Sequence, residues 1–362
     1  MREYLLTMLL SASICYLITP YVEYFALQFG AIARVRSRDV HTETTPRWGG
    51  VAMWFATSFT FVVVSHLPLV GKSFGREAQG IFLAATFVVL LGMIDDRYEL
   101  DALTKLAGQA LAAAILLNYG VQLLWLPING LITLPPSIGQ LLTVLVIMVV
   151  INAVNFIDGL DGLASGVVAV AATAFFIFAY VLAVVYGFSR AGAPSTISAV
   201  IIGACVGFLP HNVHPAKIFM GDSGSMFLGL MLGAAAITLT GQFDPNAISS
   251  EATGPTFLPL LLPFAVLAIP LADFAAAVIR RVRAGRSPFA PDNEHLHHKL
   301  FKAGNSQVRT AIIMYLWTAA IAFPVTVWAF APYWVAILVG VTFGGLSILI
   351  RKRKVEHLEP VA

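Results

Sequence analysis

Four short polar stretches carry the residues of this chain that could do chemistry. The first is the pair Asp95-Asp96, which directly follows the apolar run FVVLLGMI. Adjacent carboxylates at a helix end repel unless a cation or metal shares them; the alternative is that one of them caps the next helix. The second is NAVNFIDGLDG at 152–162, where Asn155, Asp158 and Asp161 are spaced by three. In a helical turn that spacing puts all three on one face, and the glycines let backbone approach a ligand. A plain turn with Asp-Gly pairs is the competing reading. The third is KIFMGDSGS at 217–225, with Asp222 just before an apolar helix. This pattern suits an anion site at a helix N-terminus or an N-cap, and the cap reading fits Ser223 better than Asp222. The fourth, PDNEHLHHKL at 291–300, holds three of the eight histidines, two acids and a lysine.

Three histidines in four residues suggest zinc at first sight. However, His295, His297 and His298 cannot all surround one metal from a helix, and no thiolate accompanies them. Arg280, Arg281, Arg283 and Arg286 lie just upstream and fit an anionic ligand better. The isolated His41, His211 and His214 read as hydrogen-bonded structural histidines. Carboxylates with oxygen donors nearby suit Mg²⁺ better than zinc. Cations together with Mg²⁺ suit a polyphosphate substrate, so the chemistry suggested is phosphoryl transfer at a membrane surface.

A membrane must position these stretches. The chain is 58% hydrophobic and 11% charged over 362 residues, less than half the charge of a soluble protein, which is about 25%. Eleven apolar runs are long enough to act as candidate spans: Tyr4–Phe29, Val51–Val70, Ala78–Ile94, Lys105–Tyr119, Ile138–Val154, Leu163–Phe188, Thr196–Pro210, Met226–Thr240, Phe257–Ile279, Ala311–Phe330 and Tyr333–Ile350. The fourth, seventh and eighth are short. The first is too long for a signal-peptide core and no A-x-A site follows it, so it reads as a retained span. Cys15 and Cys205 both lie in apolar runs and argue against a disulfide framework.

With eleven spans, the loops after odd-numbered spans collect 18 of the 22 lysines and arginines. The positive-inside rule then puts the C-terminus in the cytoplasm and the N-terminus outside. All four polar stretches, and TPRWGG at 45–50, fall on the cytoplasmic side. The basic run at 351–354 reads as a topology determinant. No linker, second soluble domain or repeat interrupts the pattern. The expectation is an all-α polytopic membrane protein of about eleven helices. It is one integral-membrane domain over 1–362, with a cytoplasmic His/Arg loop at 280–308 and an active site at the cytoplasmic face.

In order along the chain, TPRWGG, GMIDDRYELDALTKLAGQ, NAVNFIDGLDGLASG, KIFMGDSGSMFLG and PLADFAAAVIRRVRAGRSPFAPDNEHLHH resemble the polyprenyl-phosphate N-acetylhexosamine-1-phosphate transferases. The likeness runs from about Asp39 to Leu300. It implies Mg²⁺-dependent transfer of a sugar 1-phosphate from a UDP-sugar to a polyprenyl phosphate, with release of UMP; Mn²⁺ is an alternative ion. The pattern His295-Leu296-His297-His298 resembles members that use UDP-GlcNAc. Those using UDP-MurNAc-pentapeptide carry three consecutive histidines; that donor, or another UDP-N-acetylhexosamine, is the alternative. The chain departs from the family pattern at Arg38-Asp39 and at Asn293.

The resemblance also implies residue roles. Asp222 would ligate Mg²⁺ with Asn155 beside it. Phe219 would stack on uracil and Asp161 would bind it. Lys105 would lie near the phosphates, and Asp95 and Asp96 would form the acidic pair whose first member is the proposed base for the lipid phosphate. Asp158 joins them as a catalytic candidate. Arg286, His295, His297 and His298 would hold the sugar-phosphate end, as a lid facing Asp95, Asp96, Asn155 and Asp222. The implied partners are the UDP-sugar, the lipid acceptor and the membrane, with a homodimer left open and no nucleic acid. The implied location is the inner (plasma) membrane of a bacterium. A transporter is the rival from another class, but the acids cluster at helix ends, and Asp273, the main acid within a span, lies only seven residues before Arg280.

Overall fold

The structure is a computed structural model that describes residues 1–32, 45–73, 75–126, 132–185, 187–188, 191–242, 258–285 and 295–352. Its elements are helices: α1 (Arg2–Gln28), α2 (Gly49–Val64), α3 (Arg76–Tyr98), α4 (Ala102–Asn118), α5 (Pro136–Ile157), α6 (Leu163–Tyr180), α7 (Gly192–Asn212), α8 (Gly221–Gln242), α9 (Leu258–Val266), α10 (Ala268–Arg283), α11 (Leu296–Lys302), α12 (Gln307–Trp328) and α13 (Tyr333–Lys352). Two two-residue strands, β1 (Trp125–Leu126) and β2 (Ile132–Thr133), pair antiparallel between α4 and α5. Among the described residues, eight helices are long and apolar enough to cross a membrane, and α2 and α4 are shorter apolar helices. α9 and α10 are separated only by Leu267. The expected all-α membrane architecture is present.

Three lengths differ from expectation. The seventh and eighth runs are only the apolar middles of α7 and α8, which have 21 and 22 residues. Glycine and hydroxyl residues at their ends, such as Gly192, Ser195, Gly221 and Ser223, lower the local hydropathy without breaking the helix. The second run instead stops at Val64. Pro68 disfavours helix at the residue before it, and the chain turns there into a 3₁₀ segment, Val70–Ser73.

α8 is the axis of the bundle. Its most apolar stretch is 100% buried, whereas that of α13 is 11% buried. A helix without a polar face belongs in the interior, and with no hydrophobic drive between helices in lipid, close packing of small residues must hold it. Gly221, Ser225, Gly229 and Gly233 recur every four residues along α8. α5 runs antiparallel against this stripe. Asn155 Nδ2 donates to Ser225 Oγ at 2.9 Å, a Cβ on Gly229 would lie 2.6 Å from Ile151 Cα, and Gly233 faces Ile147. A methyl group at Gly229 would push these two backbones apart.

Candidate active site at one end of the bundle

The first turn of α8 is where the motifs meet. Phe219 N donates to Pro46 O at 2.8 Å, Gly49 N to Phe219 O at 3.0 Å and Gly50 N to Met220 O at 3.0 Å. TPRWGG and KIFMGD are therefore laced together through backbone. Gly50 on α2 and Gly92 on α3 both press on the Ser223 backbone, where a Cβ would collide. Gly221 has φ +71°, which suits glycine, and a side chain there would meet the Asp96 carboxylate at 2.5 Å.

Asp96 explains that crowding. It accepts from Asp222 N at 2.7 Å, Ser223 N at 3.2 Å and Ser223 Oγ at 2.8 Å. It thus caps α8 from another helix and fixes Asp222. This corrects two expectations. The N-terminal amides of α8 at 222 and 223 are already taken by Asp96, so they form no anion site, and Ser223 donates rather than caps. The helix after the acidic pair, α4, takes its cap from Asp101, which accepts from Thr104 N at 3.1 Å.

The other carboxylates face a shared space. Asp95 Oδ1 accepts from Leu100 N at 2.8 Å, and Asp95 forms an ion pair with Lys105 Nζ. The same ammonium lies 3.4 Å from Asp222 Oδ2, so one lysine bridges two carboxylates. Asn155 Nδ2 donates to Asp222 Oδ1; as placed, its nitrogen rather than its oxygen meets the carboxylate. One turn deeper, Asn152 Nδ2 donates to Gln109 Oε1 at 2.6 Å, which ties α5 to α4 beneath Asn155 and Lys105. The Arg47 charge acts on Asp96, Asp158 and Asp222. The Asp158 carboxyl is pushed up to about 7, first by burial and then by the charges of Asp222 and Asp96.

Asn155, Asp158 and Asp161 do not share a helix face. α5 ends at Ile157, and Asp158 has already left it. Asp161 turns away and accepts from His214 Nδ1 at 2.7 Å and Ala216 N at 3.2 Å, ordering the segment that leads to Phe219. The Phe219 ring is half-buried. His211 approaches Tyr16 O at 3.0 Å through Nε2, so His211 and His214 both have hydrogen-bond partners.

The histidine segment forms α11, with His295 at the N-cap position but without a capping bond from its side chain. His295 Nδ1 approaches Asp273 Oδ2 at 3.2 Å, and Leu296 N donates to Asp273 Oδ1 at 2.9 Å. The His295 ring lies 5.4 Å from Phe156, and His297 packs directly on Gly159. The segment thus seats on the end of α5 and its following loop, beside Asp158. Its contacts there include Phe156, Gly159 and Asp273. Burial holds the His297 imidazole down at about 3, with His298 next to it adding to the effect. Among the described residues no three His, Cys, Asp or Glu side chains gather as a metal site. Arg286, Arg38, Asp39, Asn293 and His41 lie outside the described residues.

Sequence reading passed over Arg47, Ser225, Phe156 and Asp273 as site-building residues. Arg47 had a signal, because it interrupts TPRWGG at the start of an apolar helix. Asp273 had one as the main acid in a span. Nothing in the sequence paired it with a histidine 22 residues away.

A protein-family model described as glycosyl transferase family 4 matches residues 78–240, which hold Asp95, Asp96, Lys105, Asn155, Asp158, Asp161, Phe219 and Asp222. A decaprenyl-phosphate N-acetylglucosaminephosphotransferase of Mycolicibacterium smegmatis is 43% identical over 330 residues, 89% of this chain and 81% of that protein. The chain belongs to glycosyl transferase family 4. A Mycobacterium tuberculosis protein with the same description is 43% identical over 89% of this chain and 82% of its own length. The undecaprenyl-phosphate alpha-N-acetylglucosaminyl 1-phosphate transferase of Escherichia coli is 26% identical over 86% and 81%. This family 4 member is a multi-pass membrane protein of bacterial type, and its matched segment spans α3 to α8, the helices that build the carboxylate mouth.

Proposed function

We propose that this protein transfers N-acetylglucosamine 1-phosphate from UDP-GlcNAc to a polyprenyl phosphate and releases UMP, as the first membrane step of a cell-envelope glycan. The observation that carries the reading is the meeting of Asp95, Lys105, Asn155 and Asp222 around one space, together with relatives whose names state that transfer. Membership of the family sets aside the transporter reading.

The donor set fits Mg²⁺. Asp95, Asp158 and Asp222 set three carboxyl groups against the two cations Lys105 and Arg47, and a bound cation would favour the ionised form of all three. Asp222 with Asn155 would hold the ion, which uses few protein carboxylates and completes its shell with phosphate and water oxygens. When bound, the ion supplies neutralisation of the diphosphate charge. Rotation of the Asn155 amide would turn its oxygen toward that ion.

The lipid phosphate oxygen attacks the β-phosphorus of the donor in line, and UMP leaves. Catalysis is mainly positioning. Lys105 neutralises phosphate oxygens from between Asp95 and Asp222. Asp95 orients the acceptor rather than deprotonating it, because a phosphate monoester has a second pKa of about 6. Phe219 stacks on uracil at the end of the segment that Asp161 orders. The histidine segment closes over the sugar-phosphate end.

With eleven crossings the mouth lies on the cytoplasmic side of the inner membrane. A cysteine at Ala102 should then be labelled only from inside and one at Thr133 only from outside; labelling of both from one side contradicts this orientation. The test of function is UMP release by purified protein from UDP-GlcNAc. Release should require polyprenyl phosphate, and a donor panel should favour UDP-GlcNAc over UDP-GalNAc and UDP-MurNAc-pentapeptide. No acceptor-dependent UMP would refute the reading.

A further inference from the structure

We propose that Asp273 is a positioning residue for His295, fixing which ring nitrogen carries the hydrogen and therefore which edge is left for the diphosphate donor; this rests on the function proposed above. Asp273 sits on α10 with 3% of its surface exposed, and His295 is 7% exposed. Asp273 Oδ2 lies 3.2 Å from His295 Nδ1, and its other oxygen accepts from Leu296 N at 2.9 Å. A carboxylate only accepts, so Nδ1 must carry a hydrogen. The second hydrogen bond stops the carboxylate from turning away.

The ring also has aromatic neighbours. Phe156 lies 5.4 Å from it at 41°, and His297 is parallel to it, 5.7 Å away at 3°. Phe156 is itself fixed by Phe274 at 5.3 Å and by the Arg281 guanidinium at 5.1 Å. With Nδ1 engaged and the ring packed beside Phe156 and His297, Nε2 is the edge left to act. In the neutral ring Nε2 is a lone pair that can take a proton, and once protonated it donates to a phosphate oxygen. A carboxylate behind an imidazole does the same work in other phosphoryl- and acyl-transfer sites, by holding the tautomer rather than by touching substrate.

Asp273→Asn separates this role from a merely structural one. The amide keeps an oxygen for Leu296 N, so the cap of α11 survives. Its NH₂ group then faces Nδ1, and the hydrogen of the neutral ring must move to Nε2. Two readouts on the full-length protein in detergent or nanodiscs test this. The first is ¹⁵N NMR of histidine-labelled protein, with His295 assigned by difference from His295→Gln. Wild type should carry hydrogen on Nδ1, and Asp273→Asn should carry it on Nε2. The second is UMP release. In Asp273→Asn, kcat should fall about tenfold or more, while the donor KM and the melting temperature stay close to wild type. Asp273→Glu should recover part of the rate, and the double variant Asp273→Asn/His295→Gln should be no slower than His295→Gln. Wild-type His295 protonated on Nε2 alone would overturn the proposal, as would full-speed Asp273→Asn or full-speed His295→Gln. A wild-type protein that releases no UMP would instead refute the proposed function, and the NMR result would still decide the role of Asp273.

Discussion

At the carboxylate mouth, α2, α3 and α8 touch backbone to backbone through Gly50, Gly92 and Ser223, and Asp96 is tied to two amides and a hydroxyl. The histidine segment meets the same end of the bundle with no such backbone-to-backbone seam described: the Asp273 carboxylate binds His295 and Leu296 N, Phe156 lies beside His295, and His297 rests on Gly159. The first region holds charge in a frame that cannot yield without moving three helices. The second carries His297 and His298 on a seven-residue helix with His295 at its N-cap position. Under the function proposed above, the first supplies a fixed place for phosphorus and the second a contact for the sugar-phosphate end.

The comparison breaks most sharply at Asp222. Asp222→Asn keeps shape and cap but removes charge, and turnover should fall at least about a hundredfold, or roughly 2.7 kcal/mol of barrier. Near-normal turnover at limiting Mg²⁺ would place the metal elsewhere.

The next effect separates the two neighbours of the acidic pair. Asp96→Ala leaves the amides of Asp222 and Ser223 without their partner and should cost about 2 kcal/mol of stability as well as activity. Asp95→Asn should slow turnover while the melting temperature stays nearly constant. Equal melting temperatures for the two variants would mean that Asp96 does not brace the frame.

Phe219→Ala should weaken donor binding by at least about 1 kcal/mol, roughly fivefold in KM, with partial rescue by Tyr or Trp. An unchanged donor KM would remove the ring from the site.

The smallest effect belongs to the histidine segment. His297 is neutral in the folded protein, with its imidazole held down at about 3, so unfolding takes up a proton below pH 6.5 and stability is lost as pH falls through that range. His297→Gln should lessen the stability lost between pH 7.5 and 5.8 by about 1 kcal/mol, read from melting temperatures at the two pH values. An unchanged pH dependence would mean that the ring is not neutral and buried.

Much of this was legible in the sequence because the membrane restricts the options. Apolar runs and charge segregation gave the helices, and motif order gave the mouth. The ends of α7 and α8 were hidden because small residues pack helices without raising hydropathy. The single face expected for Asn155, Asp158 and Asp161 failed because period-three spacing presumes a helix that stops at Ile157. The division of labour between Asp95 and Asp96 was invisible, since adjacent side chains on a helix point about 100° apart and only the partner helix decides what each one meets. Asp273 was hidden for a related reason: its histidine lies on another element.

The most direct test follows the phosphorus. Purified protein with polyprenyl phosphate and UDP-GlcNAc labelled at the β-phosphorus should place the label in the lipid product and release unlabelled UMP. Label left in released UDP would show transfer of the sugar alone, and would contradict attack at phosphorus in the space between Asp95, Lys105 and Asp222.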